Sequence, residues 1–80
     1  MTNLPVVYLP SGRPAPVLLT EGEAIELLRL DTIDIKHPAD TLRRYRESGL
    51  LRGTKIGLKI FYSLPELLSF IDRQAEGVSR

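Results

Sequence analysis

The sequence predicts a small, mainly α domain with one β-hairpin, in the order helix, linker, helix, hairpin, helix. Three observations predict it. Thr20 with Glu23, and Ser63 with Glu66, have capping-box spacing: the hydroxyl accepts from a backbone N–H in the first turn and the carboxylate returns the bond. Pro38 and Gly49 bracket another helix, at the positions favoured in the first turn and just past the end. Between that helix and the last, Thr54 to Tyr62 is rich in β-formers about a turn at Gly57.

Each element follows from its own residues. In the first helix Ala24, Leu27 and Leu28, with Ile25 beside them, form one apolar face to about Leu30, and Glu21 and Glu23 suit the positive end of the helix dipole. Asp31 to His37 read as a linker in which Ile33 or Ile35 supplies a core side chain. No glycine stands in that turn, which leaves Asp31 as the residue for a left-handed conformation. In the second helix Ala39, Leu42 and Tyr45 give a buried stripe, with Asp40, Arg43, Arg44, Arg46 and Glu47 on the other faces. Leu50 and Leu51 are expected to pack past its end. In the hairpin Ile56, Ile60 and Tyr62 face inward, while Lys55 and Lys59 flank the turn. Leu64, Leu67, Leu68 and Ile71 follow the helical period in the final helix, which ends near Glu76 and Gly77.

Four of the six prolines (Pro5, Pro10, Pro14 and Pro16) lie near the N-terminus and forbid a helix there. The predicted organisation is a Pro-rich arm over residues 1–17, a domain over 18–76 and a frayed tail over 77–80. Val6 to Leu9 form a candidate edge strand in the arm.

Eighty residues allow one small core, and no apolar run approaches the length of a membrane span. With no cysteine there is no disulfide framework and no thiolate zinc site, and a reducing, cytoplasmic compartment is permitted. His37 is the one histidine and precedes a proline, as a loop or cap residue does. No histidine pair at metal spacing, phosphate-cradling glycine loop or nucleophile elbow is present, so neither a cofactor nor an enzymatic activity is expected.

The charges, 11 basic against 10 acidic, are unevenly placed. Residues 36–59 hold Lys36, Arg43, Arg44, Arg46, Arg52, Lys55 and Lys59 against Asp40 and Glu47, seven cations to two carboxylates and a net +5. The remainder holds four arginines against eight carboxylates, a net −4. A polyanion responds to the local face, because salt screens charges beyond about 8 Å.

The stretch from Thr41 to Leu51 (Thr-Leu-Arg-Arg-Tyr-Arg-Glu-Ser-Gly-Leu-Leu) resembles the recognition-helix region of MerR-type winged helix-turn-helix proteins. Leu19-Thr20-Glu21 with Ala24, the Lys55-Ile56-Gly57 hairpin and a closing helix from Ser63 to Ile71 extend the resemblance to the short excisionase-type branch, over about residues 18–73. The resemblance implies a winged helix-turn-helix that binds double-stranded DNA, as a transcriptional regulator or a recombination factor, associated with the nucleoid when bound. The second helix then enters the major groove with Arg43 and Arg44, and Asp40 and Glu47 beside them. The hairpin is the wing, with Lys55 and Lys59 on the backbone and Arg52 reinforcing phosphate contacts. Tyr45 either donates its hydroxyl to a phosphate or belongs to the core stripe, and Arg46 either joins the contacts or packs its stem on the core.

Two departures qualify the pattern. The turn between the first two helices is about five residues longer than in the family, which brings Lys36 and His37 towards the contact surface. Leu58 and Phe61 are apolar where polar or basic wing residues are usual. They suit a minor-groove wedge, a protein partner such as a recombinase, or, for Phe61, packing on the arm. The chain ends soon after its last helix, so cooperative or dimeric binding on DNA is expected to use the arm, the wing or adjacent sites. The alternative is a protein-interaction module that keeps the fold with weak or no DNA binding.

Overall fold

The computed structural model describes residues 6–77, in which four helices pack with a three-stranded antiparallel sheet. The first helix begins through a closed capping box. Thr20 Oγ1 accepts from Glu23 N–H at 3.3 Å, and Glu23 Oε1 accepts from Thr20 N–H at 2.9 Å, so α1 (Glu21–Leu28) starts where predicted. It stops earlier than its apolar periodicity predicts. Arg29, not Asp31, takes the left-handed conformation at φ 59°, and α2 (Leu30–Ile33) follows at once. The expected linker is therefore helical as far as Ile33. The break swings Leu30 into the core, whereas Ile33 and Ile35 are 71% and 81% exposed and neither supplies the expected core side chain.

Pro38 opens α3 (Pro38–Glu47), and Gly49 at φ 85° turns the chain out of it. Leu50 and Leu51 N–H both reach the carbonyl of Tyr45, at 3.0 and 3.2 Å, which satisfies the helix end. Leu51 is buried there, while Leu50 remains substantially exposed. The inward face of α3 is Thr41, Leu42 and half-buried Tyr45; Ala39, expected in the stripe, is exposed.

The sheet has a strand that the sequence reading lacks. β1 (Leu18–Leu19) pairs antiparallel with β3 (Lys59–Ser63), which pairs in turn with β2 (Thr54–Ile56), in the order β1-β3-β2. The fold is thus mixed α/β, with more sheet than one hairpin. Gly57 at φ 63°, followed by Leu58, makes a two-residue hairpin turn of the kind that needs positive φ at its first position. Lys55 lies opposite Ile60, and Ile56 opposite Lys59. Cross-strand partners share a face, so Lys55 lies on the face of Ile60 and Tyr62, and Ile56 on the other. This reverses the expected inward placing of Ile56. Gly53 precedes the hairpin where a Cβ would stand 2.8 Å from Ile60 Cγ2 and 3.0 Å from Arg46 Cδ, so a larger residue there must displace these side chains.

Ser63 caps α4 (Leu64–Gly77), its Oγ accepting from Glu66 N–H at 3.2 Å. The Glu66 carboxylate instead accepts from Arg52 N–H at 3.1 Å and from Arg73 at 3.4 Å, and Arg73 also donates to the Leu50 carbonyl at 2.8 Å. These bonds staple α4 to the chain leaving α3. Phe70 takes the core position predicted for Ile71, which is part-exposed.

The core unites Leu19, Leu30, Leu42, Leu51, Tyr62, Leu64, Leu67 and Phe70 with Leu9 from the N-terminal segment. That segment turns back on itself: Leu9 N–H donates to Arg13 O and Ala15 N–H to Val7 O, with one bridge between Tyr8 and Pro14 in place of the edge strand. Ser11 N–H donates to Glu26 at 2.9 Å and Arg13 lies near Glu23 and Glu26, which ties the loop to α1. Residues 1–5 of the predicted arm and 78–80 of the predicted tail lie outside the described residues. Among the described residues no helix is long and apolar enough to cross a membrane.

Candidate functional site

The basic segment folds into one helix, α3, and the hairpin that follows it. Arg43 and Arg44 are both exposed on α3, and their surroundings differ. Arg43 is held by carboxylates one turn to either side, with Nη2 3.1 Å from Asp40 and Nε 4.0 Å from Glu47. Arg44 Nη2 donates to Thr41 Oγ1 at 3.2 Å, and the Thr41 hydroxyl donates to Asp34 Oδ2 at 2.9 Å. The other oxygen of Asp34 accepts from His37 N–H at 3.1 Å. The backbone N–H of His37, and then the Thr41 hydroxyl, hold the Asp34 carboxyl below its ordinary value of 3.8, so it is ionised at neutral pH. Asp34 therefore fixes the turn before α3 and, through Thr41, the guanidinium of Arg44.

Sequence reasoning counted Asp34 only as a charge. The signal that identifies it is its position three residues before His37 and four before Pro38. There a short carboxylate can accept from the backbone at a helix start. His37 itself occupies the N-cap position of α3 and uses its backbone there.

The remaining candidates divide by place. Arg46 is half-buried and donates to the Tyr62 hydroxyl at 2.7 Å, joining α3 to β3. Tyr45 packs its ring on Phe70, centroids 5.3 Å apart, and borders an apolar groove of about 410 Å³. Lys36 is exposed in the turn before α3, and Arg52 presents an exposed side chain while its N–H is engaged by Glu66. Lys55 and Lys59 are exposed and, by the hairpin register, on opposite faces, so they straddle the hairpin. Among the described residues Lys36, Arg44, Arg52, Lys55 and Lys59 form no ion pair with a carboxylate.

At the hairpin tip Leu58 is 98% exposed. Half-buried Phe61 lines a depression of about 430 Å³ together with Thr20, Gly22, Arg46, Leu58 and Tyr62, between the hairpin and the start of α1. No cluster of three or more metal-ligating side chains occurs among the described residues. What the basic arrangement offers chemically is a rigid helix face with two adjacent guanidinium groups, flanked by unpaired cations on the hairpin and turn. Such a set presents positive charge that a polyanion can neutralise. Comparison of the chain with protein-family models, with curated proteins and with solved structures returns no match.

Proposed function

We propose that the protein is a small duplex-DNA-binding protein with a winged helix-turn-helix domain, in which α1 and α3 form the helix-turn-helix, with α2 in the turn between them, and β2–β3 the wing. The observation that carries this reading is that α3 exposes Arg43 and Arg44 in a segment where five cations, Lys36, Arg44, Arg52, Lys55 and Lys59, form no ion pair with a carboxylate among the described residues. The acidic remainder of the chain supplies the other helices. In this reading α3 lies in the major groove. Arg43, held between Asp40 and Glu47, exchanges an exposed ion pair, worth little in water, for the edge of a guanine. Arg44, Lys36, Arg52, Lys55 and Lys59 neutralise phosphates and fix register without reading sequence. Arg46 and Tyr45 support these contacts from below. Either regulation of transcription or shaping of DNA for a recombinase requires only this placement, and neither role needs a catalytic residue or a cofactor.

Salt-titrated binding to duplex DNA tests the reading. Five phosphate contacts give a slope of log K against log salt of about −4.5. Arg44→Ala is expected to weaken binding to all sequences alike and reduce that slope by about 1, whereas Arg43→Ala costs about 1–3 kcal/mol on the preferred site and relaxes its sequence preference. Arg29→Asn is the control: it removes a cation from the α1–α2 break, and asparagine tolerates the positive φ there. Arg73 cannot serve, because it staples α4 to Leu50 and Glu66.

The second reading, a protein-interaction module on the same fold, is favoured by the exposed Leu58 and the apolar groove beside Tyr45. Absence of duplex binding at low salt, or equal losses from Arg29→Asn and Arg44→Ala, would select it.

A further inference from the structure

The three-stranded sheet stops short on one side. Successive residues of an antiparallel strand turn their N–H and C=O alternately to one neighbour and to the other. Along β3 the two-residue hairpin turns those of Lys59 and Phe61 towards β2. Those of Ile60 and Tyr62, and of Leu64 just past the strand, turn towards β1. Tyr62 is met there by Leu19, and Leu64 N–H donates to the Val17 carbonyl at 2.7 Å. Ile60 is left open. A longer β1 would set Glu21 opposite it, but Glu21 already belongs to α1, and no backbone group among the described residues bonds Ile60 on that side.

This free edge borders the depression of about 430 Å³ between the hairpin and the start of α1. The outer edge of β2 differs: all three of its residues are exposed, with Lys55 at the centre, the short and charged kind of edge that resists pairing. On the α1 side of the depression Gly22 has no side chain, and open space lies where one would stand. Leu58, 98% exposed, and half-buried Phe61 supply the apolar wall. Arg46 lies on the Ile60–Tyr62 face of β3, since a Cβ at Gly53 would meet Arg46, Ile60 and Tyr62 together. Its Nη1 donates to Tyr62, and neither Arg46 nor Lys59 forms an ion pair with a carboxylate among the described residues. Glu21 is the single carboxylate of the lining and is exposed; Glu23 accepts from Thr20 N–H and lies near Arg13. A half-buried guanidinium attracts an anion more strongly than an exposed one, because less water screens it.

We propose that this edge receives an extended acidic peptide segment of a partner protein, which continues the sheet on the β1 side of β3. One residue of the segment exchanges N–H and C=O bonds with Ile60, the backbone pairing that gives strand addition its affinity. Cross-strand partners share a face, so the side chain of that residue stands on the Ile60 face, where Arg46 is the group to meet, and a carboxylate suits it. The residues on either side point to the other face, where Phe61 and Lys59 lie, and are apolar. The segment recognised is thus apolar–acidic–apolar in an extended conformation. The contact does not depend on DNA binding, and Lys59 is the one phosphate-contacting residue that the two share.

Two pools of short peptides, acetylated and amidated at their ends, test the contact by amide NMR of the full-length protein. One pool alternates valine or leucine with glutamate or aspartate; the other carries lysine or arginine in place of the acids. The acidic pool is expected to shift the Ile60 N–H and to slow its exchange with solvent, with smaller shifts at Gly22 and Phe61. The same pool N-methylated at its acidic residues cannot donate to the Ile60 carbonyl and should leave Ile60 unmoved. Arg46→Gln keeps a donor for the Tyr62 hydroxyl and removes the charge, and should weaken the acidic pool about tenfold. Lys59→Glu, at an exposed position, should weaken it about 3- to 10-fold without disturbing the fold. An equal response to the acidic and basic pools, an undiminished response to the N-methylated pool, or no response at Ile60 to the acidic pool would overturn the proposal. So would an Ile60 shift that grows with protein concentration alone, which makes a second copy the occupant, or one that duplex DNA reproduces, which assigns the depression to nucleic acid.

Discussion

Asp34 shows how one carboxylate positions an arginine to which it is not directly bonded. It accepts from His37 N–H and from the Thr41 hydroxyl, and Thr41 in turn accepts from Arg44, so the turn, the buried threonine and the arginine are registered together. These hydrogen bonds favour the ionised form and place the folded-state pKa below the ordinary 3.8. Between the two values the unfolded chain binds more protons than the folded one. The stabilisation is therefore complete above the unfolded pKa and is lost as pH falls through the folded one. Urea midpoints measured from pH 6 to pH 2.5 should fall more steeply for the wild type than for Asp34→Asn, with the curves converging at the acid end. Parallel curves would mean that Asp34 does not link the turn to folding.

At the level of elements, the N-terminal segment behaves as part of the domain. Leu9 is only 2% exposed and sits among the core side chains, held by the turn over residues 9–13 and by Ser11 on Glu26. Leu9→Ala is expected to destabilise the fold by about 2–4 kcal/mol in chemical denaturation, against less than about 0.5 kcal/mol for Val6→Ala, which is exposed. Equal small losses would mean that the segment is not held on the domain by Leu9. The contrast marks what the sequence could convey. Capping at Thr20 and Ser63, the Pro38 start and the Gly49 and Gly57 turns are local chemistry, and each stands where its residues put it. The strand at Leu18 is two residues long and exists only because β3 pairs with it, so no local pattern encodes it. The break at Arg29 overrides a continuous apolar period because Leu30 gains burial only if the helix turns. At the site, the grouping of Arg43 and Arg44 is legible from helical spacing. The diversion of Arg46 to Tyr62 depends on a contact sixteen residues away, and the facing of Lys55 and Ile56 depends on hairpin register.

Across the whole molecule, the near-neutral total conceals a polarity, with seven cations to two carboxylates over residues 36–59 and four arginines to eight carboxylates elsewhere. Among the described residues Arg44 and the hairpin lysines are exposed and form no ion pair with a carboxylate. If this segment is what binds a duplex, charges more than a screening length of about 8 Å away contribute little at physiological salt. Reversing Asp72 to lysine, on the exposed side of α4, should then change duplex affinity by about threefold at most, because it alters none of the seven cations of the basic segment. Arg44→Ala should instead lower affinity and make the slope of log K against log salt about 1 less steep. Equal and opposite changes from the two substitutions would mean that binding follows the net charge of the chain and not the local basic segment.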